Sequence, residues 1–409
     1  MATILLAARA SSGAGGSELK YVVIVSRHGV RAPTWETARL NEHSSEPWPE
    51  WDVPPGNLTA HGRKLIELLG SYYREWLASE HLLGAAGCQD AGRIYIHADK
   101  DQRTLETGRA FAESLVPGCT VEVHSQAAGQ PDPLFAGFGT PDPERLVAAV
   151  RERLGPNSQK LVADHRAAFE ALQAVLKDKS GEAAAVGVAQ KGKSVELTGP
   201  FAMGSTFSEN LLLEYANGME GESLGWNRLT RDELERILEI HAVYADLMRR
   251  TRYLARARGS NLLAHIWRSL EQAATGKTVP GALGQPGNAL LLISGHDTNQ
   301  SNLSGMLGLT WKLAGYQTDD TPPGGALIFS LWRDGATGQY FVRLRYLAQT
   351  LDQMRHAERL SMISPPDVQD LELPGCPAAN CPWEAARRAM EKAIDPEFTS
   401  GPAGAPSGR

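Results

Sequence analysis

Residues 21 to 34, Tyr-Val-Val-Ile-Val-Ser-Arg-His-Gly-Val-Arg-Ala-Pro-Thr, constrain this chain more than any other stretch. Tyr21 to Val25 is a short β-branched apolar run, which predicts a strand buried on both faces. The run stops at Ser26-Arg27-His28-Gly29, so a histidine between two arginines stands where a central strand leaves its sheet. In open α/β sheets that carboxyl end is where ligands bind. Gly29 gives the backbone room to turn, and Pro33 keeps the chain from running straight into a helix. Arg27 and Arg31 offer planar forks of donors suited to phosphate, and Thr34 adds a hydroxyl. His28 is then a candidate nucleophile, since an imidazole nitrogen can attack phosphorus once cations neutralise the phosphoryl oxygens.

Two further segments repeat the pattern. Arg93 to Ala98 predicts a second buried strand, followed by a turn at Asp99-Lys100-Asp101-Gln102 and a helix from Arg103-Thr104 to Leu115. A cation at a helix start runs against the dipole and suggests a bound anion, which makes Arg103 a phosphate candidate. Ala289 to Ser294 predicts a third buried strand, ending at Gly295-His296-Asp297, with helix resuming from Asn302. Leu65, Leu68, Leu69, Tyr72, Tyr73 and Trp76 carry a helical period behind a Thr59 N-cap, with His61 a helix-start residue. Between Trp35 and Asn57, four prolines and three tryptophans read as a long loop at the cleft mouth.

From about Pro141 to Arg258 the character changes to helix, over 145–154, 160–177 and 231–258. Glu209 falls on an apolar helix with Phe207, Leu211, Leu212 and Tyr215; His241 falls on the long helix that follows, which Arg258 ends beside Gly259. A hairpin is expected from Ala326–Trp332 and Tyr340–Tyr346 around Asp334-Gly335. The expected fold is α/β: a mostly parallel sheet flanked by helices, built from 18–140 and 259–399, with a smaller, mainly α-helical subdomain inserted at 141–258. Residues 400–409 are Pro/Gly/Ser-rich and predict a disordered tail. Residues 1–17 are read as the remnant of a secretory signal or of a start site; a small apolar run precedes small residues, but the basic n-region is missing.

A formal net charge of −6 without a Lys/Arg-rich block argues against nucleic acid as the natural partner. Such a chain must concentrate positive charge in one cleft to handle an anion. No apolar run approaches the roughly 18 residues of a membrane span. The four cysteines allow three pairings, or four free thiols, and none has zinc-site spacing.

The stretch Arg27-His28-Gly29-Val30-Arg31-Ala32-Pro33-Thr34 resembles the signature of the histidine acid phosphatases, and Ser294-Gly295-His296-Asp297-Thr298-Asn299 is similar to their His-Asp motif. Asp101-Gln102-Arg103-Thr104 resembles the segment that supplies a third catalytic arginine. Pro131-Asp132-Pro133-Leu134-Phe135 and Thr321-Pro322-Pro323-Gly324-Gly325 are similar to the bacterial periplasmic phytases of that family. Trp48-Pro49-Glu50-Trp51-Asp52-Val53-Pro54 instead resembles the glucose-1-phosphatases. The resemblance runs from about Tyr21 to Trp383. It implies disulfides Cys88–Cys119 and Cys376–Cys381, hence an oxidising compartment, periplasmic or secreted. It also places His241 and Arg258 along the substrate cleft, with Glu209 and Trp35 as further candidate contacts. One departure stands out: the phytases carry lysine directly after the signature threonine, where this chain has Trp35.

The implied activity is acid phosphomonoester hydrolysis by a monomer. His28 forms a phosphohistidine; Arg27, Arg31, Thr34, Arg103 and His296 hold the phosphate; Asp297 gives a proton to the leaving alkoxide. No cofactor or metal is expected, since arginines supply the charge. A small phosphate monoester is the expected partner, either phytate (myo-inositol hexakisphosphate) or a sugar phosphate such as glucose 1-phosphate, with broad specificity as a further alternative. A phosphoglycerate-mutase-like phosphotransferase would share the first motif. Asp297 and the cysteine pairs favour the phosphatase. A phosphate-binding module would need the arginines but neither His28 nor Asp297.

Overall fold

The computed structural model describes residues 16–127, 129–177, 186–376 and 379–400. Most of the expected leader and the tail after residue 400 therefore lie outside the described residues. Ten strands are present among the described residues: β1 Glu18–Arg27, β2 Ile94–Ala98, β3 Val123–His124, β4 Gly187–Lys191, β5 Ser194–Thr198, β6 Leu290–Gly295, β7 Ala326–Arg333, β8 Tyr340–Ala348, β9 Asp367–Leu371 and β10 Cys381–Pro382. Eight form one sheet in the order β10-β8-β7-β1-β6-β2-β3, with β9 on β8. β1, β6, β2 and β3 pair in parallel. β7 is antiparallel to both β1 and β8, so β8 returns to the direction of β1, while β9 and β10 oppose it. Most strands thus share one direction, as expected of an α/β sheet. The structure interposes β6 between β1, which carries Arg27, and β2, which leads into the helix that carries Arg103.

The alternation along β1 explains why it sits in the middle. Val22 and Ile24 face one core with Leu290, Leu292, Ile94, Ile96 and the helices Ala60–Ser79 and Gln102–Leu115. Tyr21, Val23 and Val25 face the other, with Leu291, Ile293, Phe329 and the helices of the inserted segment. A strand with apolar residues at every position can be satisfied only between two such layers. Thr59 caps its helix as the pattern predicts, its hydroxyl accepting from the Gly62 N–H at 2.9 Å.

Two details of the inserted segment depart from the sequence reading. The β4–β5 hairpin, whose Val188, Val195 and Leu197 are buried, interrupts what reads as helix. The long helix also does not end at Arg258. It breaks after Arg249, and a second helix, Arg252–Thr275, carries Arg258 in its interior. The physical reason is an anchor: Arg250 donates to Ser304 Oγ at 2.5 Å and to the Leu309 carbonyl at 2.9 Å, and pairs with Asp319 at 3.0 Å. Thr251 leaves helical geometry to start the next helix. The expected β7–β8 hairpin is present, its loop held by Asp334 accepting from the Thr337 and Ala336 N–H groups.

Cys88–Cys119 and Cys376–Cys381 are both bonded, with Cα separations of 5.4 and 5.2 Å, and no cysteine is free among the described residues. Their loops span 31 and 5 residues. Paired Cys→Ser replacement should cost roughly 3–4 kcal/mol at the first and about 2 at the second, because the longer loop gains more chain entropy on unfolding. Urea denaturation of the two double variants checks the order; a larger loss at Cys376–Cys381 would contradict it.

Candidate active site

β1, β6 and β2 end at one level. Ser26 and Ala98 are both in register with Ser294, and the ladder is prolonged by His28 N–H to the Gly295 carbonyl (2.9 Å) and Asp99 N–H to the Ser294 carbonyl (3.0 Å). Arg27, His28, Asp99, His296 and Asp297 therefore emerge together. The signature then folds onto the start of the Ala60–Ser79 helix. A Cβ on Gly62 would come within 2.0 Å of the Val30 carbonyl oxygen, and one on Gly29 within 2.9 Å of the Gly62 carbonyl. Close approach, rather than an unusual turn, is what requires glycine at both positions. The Thr321–Gly325 loop closes the other side: Arg27 donates to the Thr321 carbonyl at 2.6 Å and Gly324 N–H to the His28 carbonyl at 3.0 Å.

His28 is 2% exposed. Its Nδ1 lies 2.8 Å from the Gly29 carbonyl, which can only accept. Nδ1 therefore carries the proton, and Nε2 keeps its lone pair. Burial, with the charges of Arg27, Arg103, Arg31 and His296, holds the imidazole well below its ordinary pKa. His28 is thus held neutral, with the Nε2 lone pair available.

Around it the guanidinium groups are only partly engaged. Arg27 pairs with Glu209, and Arg31 pairs with the same Glu209 Oε1 at 3.1 Å. The Nε atoms of Arg27, Arg31 and Arg103 are buried without a hydrogen-bond partner. Unsatisfied buried donors are costly, and the charges of these three side chains all bear on His28, so the cluster marks a place for an anion. Arg103 sits in the first turn of its helix, 2.5 Å from Asp101 and with its Nη2 3.5 Å from His296 Nδ1. Asp99, at the end of β2, accepts from His296 Nε2 at 2.7 Å, and the His28 and His296 rings meet edge to face at 5.6 Å. Phe135 packs edge-on against His296, and the Asn299 side chain accepts from the His296 backbone N–H at 2.9 Å.

Asp297 opens the Asp297–Leu307 helix and is buried. Its Oδ1 accepts from the Thr298 N–H at 2.7 Å; its Oδ2 lies 2.7 Å from Arg249 and 3.9 Å from Arg27. Burial alone would raise its pKa, but Arg249, Arg27 and His241 hold the carboxyl well below the usual carboxylate range. Glu209 is likewise opposed by burial yet drawn down to about 2 by Arg31 and Arg27.

Of the remaining expected residues, His241 faces this cluster from the next helix, with Ser205 Oγ 2.9 Å from its Nδ1. Arg258 donates to Ser194 Oγ at 3.0 Å and stands behind Arg249 and Tyr244. Thr34 is exposed; both it and Arg103 pack against Gly56. Trp35 carries the Arg39 guanidinium 3.5 Å over its ring and meets Phe207 edge-on. His61 makes a structural contact to the Met354 carbonyl at 2.7 Å.

Sequence reasoning missed three residues. Asp99 and Asp101 read only as a turn, although Asp99 follows a strand end as Arg27 does. Arg249 gave no local signal, since it falls inside what reads as one helix running to Arg258, where an arginine is ordinarily a solvated residue. Asp99, Asp101 and His296 form the one group of potential metal ligands among the described residues, and the Arg103 guanidinium already stands against Asp101.

A family profile, "Histidine phosphatase superfamily (branch 2)", matches residues 18–182 and 204–347. The chain is 37% identical to phytase AppA of Escherichia coli over 89% of its length and 88% of that protein's. It is 27% identical to the glucose-1-phosphatase of Providencia rettgeri, covering 92% of each chain. The structure of Hafnia alvei phytase in complex with tartrate superposes with a TM-score of 0.87 at 36% identity, over 94% of this chain and 99% of the other.

Glu209 predicts a pH dependence. Its folded pKa is depressed from 4.5, so its contribution to stability is present above pH 4.5 and lost as pH falls towards about 2. Glu209→Gln, which leaves two buried guanidinium groups without a counter-charge, should destabilise by roughly 3 kcal/mol near pH 6. The gap in thermal midpoint from the parent should narrow on acidification to pH 2. A gap constant with pH would remove the ion-pair account.

Proposed function

The chain belongs to branch 2 of the histidine phosphatase superfamily, a phosphoric monoester hydrolase family, and from that premise we propose that it is a phytase working through a phosphohistidine on His28. The observation that carries the mechanism is the His28 Nδ1–Gly29 carbonyl bond, which leaves Nε2 free at the centre of three arginines. In the first step Nε2 forms a bond to phosphorus as the ester P–O bond breaks, and Asp297 gives the leaving alkoxide its proton. Arg27, Arg31, Arg103 and His296 take the charge of the three phosphoryl oxygens, and Thr34 adds a donor at the entrance. In the second step Asp297 accepts a proton from water, the oxygen bonds to phosphorus, and the P–N bond breaks. Residues 141–258 act as the substrate-side subdomain, contributing Glu209, His241 and Arg258.

Phytate is favoured as substrate by the higher identity to a phytase than to a glucose-1-phosphatase. Trp35 removes a lysine from the polyphosphate-binding rim, but Arg39 stacked on it returns a cation to that neighbourhood. The sugar-phosphate reading rested on the loop containing Trp48 and Trp51. Trp48 is a buried packing residue, stacked on Phe207 at 5.9 Å and edge-on to Trp226 at 5.0 Å, which weakens that argument. The two disulfides support export to an oxidising compartment such as the periplasm.

His28→Ala should lower turnover at least about 10³-fold and abolish acid-labile labelling of the protein by substrate phosphate; normal turnover in a folded variant would remove the mechanism. Initial rates on phytate, glucose 1-phosphate and p-nitrophenyl phosphate, measured side by side, should give phytate the highest kcat/KM. Preference for glucose 1-phosphate would establish the second reading.

A further inference from the structure

We propose that Arg249 is the positioning residue of the proton donor, clamping Asp297 in the free enzyme and passing its guanidinium to the substrate phosphoryl group when that arrives. The inference rests on the reading of Asp297 as the acid. Arg249 Nη1 stands 2.7 Å from Asp297 Oδ2, nearer than Arg27, whose Nη2 is 3.9 Å away and already pairs with Glu209. Both groups are buried, so the interaction between them is only weakly screened by solvent.

The fold fixes Arg249 in place. It is the last residue of its helix, and the next residue, Arg250, is tied by its side chain to Ser304 and Leu309. A Cβ on Gly305 would fall 2.7 Å from the Arg250 Cα, so the Arg250 backbone is pressed onto the very helix that Asp297 begins. Acid and clamp are thus held on one rigid junction, with Arg27, Arg31 and Arg103 around His28 instead.

The groups facing Asp297 are Arg27 and Arg31 from the signature, Glu209 from the Pro200–Ala216 helix, and His241 and Arg249 from the Arg231–Arg249 helix. In the free enzyme they leave Asp297 ionised, in the wrong state to donate a proton. A phosphate ester brings negative charge into the same cluster. It draws Arg27 and Arg249 away from the carboxylate, and Asp297 then takes a proton from an acidic medium. Proton supply is coupled to phosphate occupancy, and the alkaline limit of activity is set by Arg249.

The test compares kcat/KM against pH on phytate and p-nitrophenyl phosphate for the parent, Arg249→Gln, Arg249→Lys and Asp297→Asn. Removing the clamp should move the alkaline limb on phytate upward by about one to two pH units, the range an adjacent opposite charge imposes on a carboxyl. Arg249→Lys, which keeps the charge, should leave the limb near the parent's and serves if the glutamine variant does not fold. Inorganic phosphate should also inhibit Arg249→Gln several-fold more weakly. Asp297→Asn should lose most of about 10²–10⁴-fold on phytate and much less on p-nitrophenyl phosphate, whose leaving group needs no proton. An unmoved limb in folded Arg249→Gln, or one moved equally in Arg249→Lys, overturns the clamp while Asp297 stands as the acid. Equal losses on both substrates in Asp297→Asn overturn the acid assignment and the clamp with it.

Discussion

Four guanidinium groups of this protein lie around a histidine and a carboxyl in a site from which solvent is largely excluded. Like charges so placed would repel strongly at low dielectric. Glu209 offsets part of that repulsion by bridging Arg27 and Arg31, Asp101 meets Arg103, and Asp297 meets Arg249. What is left over is a set of buried N–H donors without acceptors. The site stores an unfilled demand for an anion, and the rest of the molecule is arranged to keep that demand in place.

The arrangement depends on three strands stopping at one register. β1, β6 and β2 are parallel neighbours with Ser26, Ser294 and Ala98 level, so each departing loop starts at the same height. Close packing of Gly29 and Gly62, and the wrap of Thr321–Gly325 around Arg27 and His28, leave the signature no freedom to relax away from its charges. Preorganised charge of this kind needs no reorganisation when the phosphoryl group changes geometry, which is where most of the catalytic benefit arises.

The same packing separates the tasks of the two histidines and the two carboxyls. His28 is kept neutral by burial among cations and oriented by a carbonyl. His296 is oriented instead by Asp99. Glu209 is committed to two arginines and is a poor acid. Asp297 has its nearest cation on a separate helix and its second at longer range.

Much of this was legible in the sequence. The apolar runs before Arg27 and His296, and the glycine and proline punctuation after the first of them, mark a buried parallel core whose strand ends bear the charged motifs. These signals are local: a run of five apolar residues decides its own strand, and a motif at its end inherits the position. Contacts from the helical segment carried no such signal. Glu209, His241 and Arg249 lie on helices whose neighbours are set by how those helices pack, and periodicity reports only which face is apolar. The break at Arg250, which brings Arg249 to Asp297, depends on Ser304, Leu309 and Asp319, more than fifty residues further along the chain. The sequence by itself determined the sheet, the histidine at its strand end and the arginines around it. The tertiary structure alone decided which charges meet Asp297, because that pairing is made across elements distant in the chain and close only after packing.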